Sequence, residues 1–223
     1  MTATATRPAG VQDAPLAYAA LAERDAALAG LIARHGTPDP FDWGALEDAA
    51  GADAFAELVL HIVSQQISTA AALAIFARLR DTLGGRVNAA QTIATSPSDL
   101  RAVGLSGAKA RSLLDLAARV LDGRLSFQRL ARSSDTTAQA ELERVHGVGP
   151  WSAQMFLLHG LRRPDVFPAA DVGLLRAAQS AFGLPRRPTA AELAARAELW
   201  HPFRSYAAAL LWAHGTQHPT KGA

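Results

Sequence analysis

Apolar positions recur along this chain at the three-to-four-residue spacing of amphipathic helices, and nowhere do they alternate with period two for long enough to make a sheet. From Pro15, the positions Leu16, Ala20, Leu21, Leu28, Leu31 and Ile32 share a broad face. They predict one helix, stopped by Gly36, Pro38 and Pro40. Phe41 and Trp43 are expected to anchor the following loop on the core. A second helix opens at about Asp53, buries Phe55, Leu58, Val59, Ile62 and Val63, and runs out in Ser64-Gln65-Gln66-Ile67-Ser68. Two adjacent glutamines after so apolar a helix are either its solvated last turn or residues with a use.

Ser68 is placed as the N-cap of an Ala-rich helix that ends at Gly84-Gly85. Asn88, Ser96-Pro97 and Ser106 open short helices in the same way. The helix from Ala108 to Leu121 carries Leu113, Leu114, Leu116, Ala117, Val120 and Leu121 and is expected in the core. Further on, Asp171 to Phe182 reads as a helix closed by Gly183-Leu184-Pro185. Thr189 and Glu192 form a capping box, and Pro202 to Tyr206 opens a last helix carrying Leu210, Leu211 and Trp212. The predicted fold class is all-α.

Composition narrows the setting more than the chemistry. A chain of 223 residues with 49% apolar residues fits one compact domain or two small helical subdomains around a cleft. Residues 1–14, rich in Thr, Ala, Pro and Gly without periodicity, are expected to be a disordered tail, residues 15–215 the folded domain, and 216–223 a second tail. The net charge is only +2, and the basic residues are arginines apart from Lys109 and Lys221, so any nucleic-acid footprint has to be local. The absence of cysteine excludes disulfides, iron–sulfur clusters and Cys-ligated zinc, and suits a reducing interior. No apolar run reaches eighteen residues and no leader pattern opens the chain, so the expectation is a soluble, cytoplasmic protein that is not exported and makes no membrane contact.

The stretch from Leu142 to Gly173 concentrates the candidate chemistry. It reads as a helix ending at His146, a Gly-Val-Gly hairpin at 146–152, a second helix opened by Pro150, and a Pro-interrupted loop that delivers Asp171 to a third helix. Gly147 stands where a helix end needs a left-handed residue, and Pro150 takes the first helical position, where its missing N–H loses nothing. The amides from Val148 to Ser152 then face outward from a helix N-terminus, a site for phosphate; an ordinary tight helix–helix turn is the alternative. Asp171 is both a natural N-cap and a candidate catalytic carboxylate, roles that are compatible because the positive end of a helix favours negative charge. Leu100 to Lys109 repeats half of the hairpin grammar without the spacing of a nucleotide-binding loop. Lys109 is there either a DNA phosphate contact or a solvated surface charge.

The hairpin, Trp151 and Asp171 together resemble the helix-hairpin-helix DNA glycosylases, and among them the alkylation-repair branch, DNA-3-methyladenine glycosylase II, from about Phe55 to Trp212. The resemblance implies the helix-hairpin-helix glycosylase fold. Some members carry an N-terminal β-rich domain, for which the residues before Phe55 are too few. It also implies an enzyme that flips an alkylated purine of the 3-methyladenine type out of double-stranded DNA and hydrolyses its N-glycosidic bond in base excision repair. Cleavage builds positive charge on the sugar, so one carboxylate, Asp171, would stabilise the transition state and direct the water. The family often has two consecutive aspartates there; Ala170-Asp171 retains the second.

By the same resemblance, Gln66 is the first choice for the wedge that fills the gap left by the extruded base, with Ile67 and Ser68 next. Gly147, Val148, Gly149 and Ser152 match the phosphate-gripping hairpin, the Ser152 hydroxyl assisting. Trp151 and Trp212 match pocket aromatics whose faces attract a cationic base, while Met155 and Val172 stand where relatives can have further aromatics. Strand-cutting relatives place a Schiff-base lysine where this chain has Trp151, which implies a monofunctional enzyme. No cofactor is implied beyond a monovalent cation, Na+ or K+, on the carbonyls of Glu143, Val145 and Val148. His214 and His218 stand four apart like a metal pair, but Gly215 and Pro219 interrupt their helix and no carboxylate or cysteine joins them, so a solvated tail is expected. His146 is placed on the surface and His159 in the packing. Two rival functions remain: a catalytically silent DNA-binding module and an all-helical protein–protein scaffold.

Overall fold

A computed structural model describes residues 14–51 and 53–217, among which no strand occurs. The chain divides into two compact helical units, one holding residues up to Phe41 and from Arg162 onward, the other running from Asp42 to Leu161. The expected tails fall largely outside the described residues. At both ends, however, helix reaches further than expected, starting at Ala14 and continuing to Gln217.

The first unit holds α1 (Ala14–Arg24), α2 (Ala26–His35), α12 (Val172–Ala181), α13 (Ala190–Ala197), a 3-10 turn at Glu198–Trp200 and α14 (Arg204–Gln217). Its core gathers Tyr18, Leu21, Leu28, Phe41, Leu174, Trp200, Tyr206, Leu210 and Leu211. The single helix expected from Pro15 is in fact two. Asp25 takes an extended backbone and caps α2 by accepting the Ala27 amide at 3.0 Å. Its carboxylate also accepts from both Arg196 (2.9 Å) and the Trp200 indole N–H (3.1 Å). A side chain needed as cap and anchor breaks the helical run, and Leu16, expected on the buried face, is left 63% exposed. Small residues let α12 and α14 approach closely: a Cβ at Gly215 would lie 3.3 Å from that of Ala177.

The second unit runs through α3 (Ala45–Ala50), α4 (Ala54–Ser64), α5 (Thr69–Thr82), α6 (Ala89–Ala94), α7 (Pro97–Ala102), α8 (Gly107–Leu121), α9 (Phe127–Arg132), α10 (Asp135–Leu142) and α11 (Pro150–His159). Helix α4 is its spine, with Leu58, Val59, Leu60, Ile62 and Val63 fully buried. The caps expected at Ser68, Asn88, Ser96 and Ser106 all form. Leu121, expected in the core, closes α8 in an exposed position. Trp43 anchors its loop by stacking on buried His61 at 3.8 Å, with His159 at 5.0 Å from the same indole.

Candidate functional site

In the first unit, the Asp171 carboxylate is set by two donors on different helices. Its Oδ1 accepts the Leu174 amide at 2.9 Å, which makes Asp171 the N-cap of α12, and the Trp212 indole N–H from α14 at 3.1 Å. Gly173 makes room for this arrangement, since a Cβ there would lie 2.9 Å from the same oxygen and 3.7 Å from the Trp212 ring. The loop leading to Asp171 is pinned by the start of α14. Arg204 grips Asp165 with Nε at 2.8 Å and Nη2 at 2.9 Å, and His201 joins at 2.6 Å. The buried Ser205 hydroxyl donates to the Arg163 carbonyl at 2.7 Å and accepts the Val166 amide at 3.0 Å. Asp165 therefore has a structural role, holding that loop to the start of α14. Val172 lies beside Asp171 and is 52% exposed.

In the second unit, α10 ends at Leu142, four residues before the predicted His146. Residues 143–149 leave the helical ladder, with Val148 N–H donating to the Val145 carbonyl at 3.0 Å. Asp115 on α8 holds the turn by accepting the His146 amide at 2.7 Å and the Arg119 Nε at 2.8 Å. Desolvation works against its charge, but these donors outweigh it and keep the carboxyl below its ordinary value. Gly147 has φ +76°, and a Cβ there would meet the Ser112 hydroxyl at 2.3 Å, so the turn requires glycine twice over. A Cβ at Gly149, by contrast, would find nothing within 4 Å, which leaves the backbone open to an approaching group. Pro150 occupies the first turn of α11, whose amides have no acceptors within their own helix.

Several side chains stand elsewhere than expected. The Ser152 hydroxyl, expected to assist at a phosphate, is buried and accepts Gln65 Nε2 at 2.8 Å. Gln65 Nε2 also donates to the Gly147 carbonyl at 3.1 Å. Lys109 is not simply a solvated charge: its Nζ donates to the carbonyls of Val63 and Gln65, both at 2.8 Å, closing the C-terminus of α4. Burial lowers its pKa from the usual lysine value. Gln66, Ile67 and Ser68 are exposed, and Gln66 has φ +58° although it is not glycine. Trp151 is half-buried at the start of α11, whereas Met155 is buried, 7% exposed, one turn later.

His214 belongs to no tail. Helix α14 runs through Gly215, and the buried imidazole bonds Ser180 at 2.9 Å and His35 at 3.2 Å; His218 lies outside the described residues. Among the described residues no cluster of His, Asp or Glu forms a metal site. Carbonyl donors at 143–148 are the kind a monovalent cation takes, and the Val145 carbonyl keeps a second lone pair beside its bond to Val148. No described helix is long and apolar enough to cross a membrane.

Comparison with known proteins bears on the same segments. Residues 59–202 match the HhH-GPD superfamily of base excision DNA repair proteins, a span that includes Gln65–Ser68, the hairpin and Asp171. DNA-3-methyladenine glycosylase 1 of Schizosaccharomyces pombe is 31% identical over 161 residues, 71% of each chain. A DNA-3-methyladenine glycosylase of Bacillus subtilis is 31% identical over 117 residues, 52% of this chain and 39% of that protein. The match spans 40% of a second B. subtilis relative, so the chain covers about two-fifths of the length of both. Among solved structures, the S. pombe 3-methyladenine DNA glycosylase in complex with abasic DNA superposes with TM-score 0.78 at 27% identity, over 88% of this chain and 94% of that one. With most of its second unit and all of α12 and α13 inside the matched span, the chain belongs to the HhH-GPD superfamily of base excision DNA repair proteins.

Proposed function

We propose that the protein is a monofunctional DNA glycosylase that removes alkylated purines of the 3-methyladenine type from double-stranded DNA by hydrolysis of the N-glycosidic bond. The observation that carries this reading is the Asp171 carboxylate, fixed at the N-terminus of α12 by a backbone amide and an indole N–H. As the base departs, positive charge develops on the deoxyribose, and a preorganised anion stabilises it without reorganising at the moment of reaction. The same carboxylate orients and deprotonates the attacking water.

Around that step, Gln66, Ile67 and Ser68 occupy the space of the extruded nucleotide. The backbone at Gly147, Val148, Gly149 and Ser152 binds a phosphate. Trp151 and Trp212, with Met155 and Val172, contact the base, an indole face being a favourable partner for a cationic purine. A cation on the carbonyls of Glu143, Val145 and Val148 is part of this reading and would supply positive charge toward the phosphate strand. Trp151, at the position of the Schiff-base lysine in strand-cutting relatives, supports release of the base without strand cleavage. The enzyme then acts on DNA inside the cell, as a monomer.

The test is a base-release assay on duplexes carrying 3-methyladenine, 7-methylguanine or exocyclic adducts, with borohydride trapping run in parallel. Release without a trapped covalent adduct is the expected result. Salt-sensitive duplex binding without release would favour the catalytically silent module, and the absence of both would favour a protein–protein scaffold.

A further inference from the structure

The loop after α4 and the hairpin before α11 are joined inside the second unit by side chains that neither catalysis nor phosphate binding requires. Lys109 Nζ donates at 2.8 Å to two carbonyls of the α4 terminus, Val63 and Gln65. The Gln65 side chain crosses to the hairpin, where Nε2 reaches the Gly147 carbonyl at 3.1 Å and the buried Ser152 hydroxyl at 2.8 Å. Between these fixed points and the Ser68 N-cap of α5, the chain has two residues in which to turn, and Gln66 takes φ +58° to do so. A non-glycine residue in that region is sterically disfavoured and persists only where its surroundings impose it.

We infer that Lys109 and Gln65 are positioning residues that lock the exposed Gln66–Ile67 tip to the hairpin, so that the segment entering the DNA and the segment holding the strand move as one rigid reading head. This rests on the glycosylase reading for what the head reads, but the coupling itself is a property of the fold. A tip held in a left-handed turn meets the duplex already formed, so no ordering cost attends insertion. Lys109 acts through the backbone of residues 63 and 65. An ammonium bonded to two carbonyls at the negative end of α4 suits that task.

The experiment uses the full chain with Lys109→Met, Lys109→Arg and Gln65→Leu. Hydrogen–deuterium exchange is followed at 64–68 and 146–151. Single-turnover base release is followed on an alkylated purine paired in a duplex and on the same purine facing an abasic gap, where less work is needed to expose it. Lys109→Met is expected to speed exchange in both segments together and to slow release from the paired lesion about tenfold, as for loss of a charged hydrogen bond. Release from the gapped substrate should change less than twofold, and Lys109→Arg should restore part of the loss. Gln65→Leu should loosen the hairpin without unfolding α4. Exchange confined to 64–68 in Lys109→Met, or equal losses on both substrates, overturns the coupling. Failure of the parent to release any base sinks the glycosylase reading instead, and exchange still decides the coupling.

Discussion

Trp212 donates its indole N–H to Asp171 Oδ1, the oxygen that also accepts the Leu174 amide. One oxygen thus takes a donor from α12 and a donor from α14, and the carboxylate plane is set by two helices at once. The tryptophan therefore has two parts, a ring face for stacking and an N–H for aiming the carboxylate. Trp212→Phe keeps most of the face and removes the N–H. Single-turnover release is expected to slow about tenfold, the effect of a hydrogen bond to a charged group, with duplex affinity within about twofold of the parent.

Gly173 ties the start of α12 to the aim of the carboxylate. It is the second residue of the helix, and a Cβ there would sit 2.9 Å from Asp171 Oδ1. Gly173→Ala is expected to lower Tm by a few degrees, since turning the carboxylate away forfeits the Leu174 cap, and to slow base release at least about tenfold. Thermal melting and release kinetics on one preparation check this.

How much of this was legible beforehand divides along physical lines. Helix periodicity and caps were visible because they are local: Asp53, Ser68, Ser106, Thr189 and Pro150 act within four residues of themselves. The family was legible through the hairpin glycines and Asp171. What escaped was long-range. Asp25 breaks the first helical run because its carboxylate is held by Arg196 and Trp200, some 170 positions on, and no local pattern carries that. Lys109 as a helix-end clamp, Gln65 as a bridge and Ser205 as a loop anchor share that character: Lys109 and Ser205 bond backbone, and Gln65 bonds a carbonyl and a hydroxyl more than 80 positions on. His214 is hidden for a local reason: Gly215 has the pattern of a helix breaker, yet in α14 it provides close packing against Ala177.

The Asp25 cluster makes a stability prediction. The carboxylate is 6% exposed, caps α2 and pairs with Arg196, whose side chain remains 36% exposed. Asp25→Ala removes the cap and leaves the Trp200 N–H and a guanidinium without their acceptor. Destabilisation of about 3 kcal/mol is expected, below the upper range for buried pairs because the arginine regains solvent. Urea denaturation checks this, with the m-value expected unchanged.

His61 makes stability depend on mild acid. Both of its ring nitrogens are buried without hydrogen-bond partners in the stack with Trp43. Burial first, and the neighbouring His159 second, push its pKa well below 6.5. The folded state therefore keeps the ring neutral while the unfolded chain takes up a proton below 6.5. Stability from this group is present above that pH and falls as pH drops below it, by up to about 1.4 kcal/mol per unit. His61→Phe, which keeps a ring in the stack, should flatten the denaturation midpoint between pH 6.5 and 5. An unchanged slope would assign the acid limb to other groups.

The central claim is that Asp171 is the catalytic carboxylate, and Asp171→Asn tests it most directly. The amide keeps an oxygen for the Leu174 cap, so the fold and duplex binding should survive while the negative charge is lost. Measured by single-turnover release of 3-methyladenine from a duplex, the parent is expected to excise the base and the variant to be slower by at least about a hundredfold. Release by Asp171→Asn at the parental rate would contradict the account.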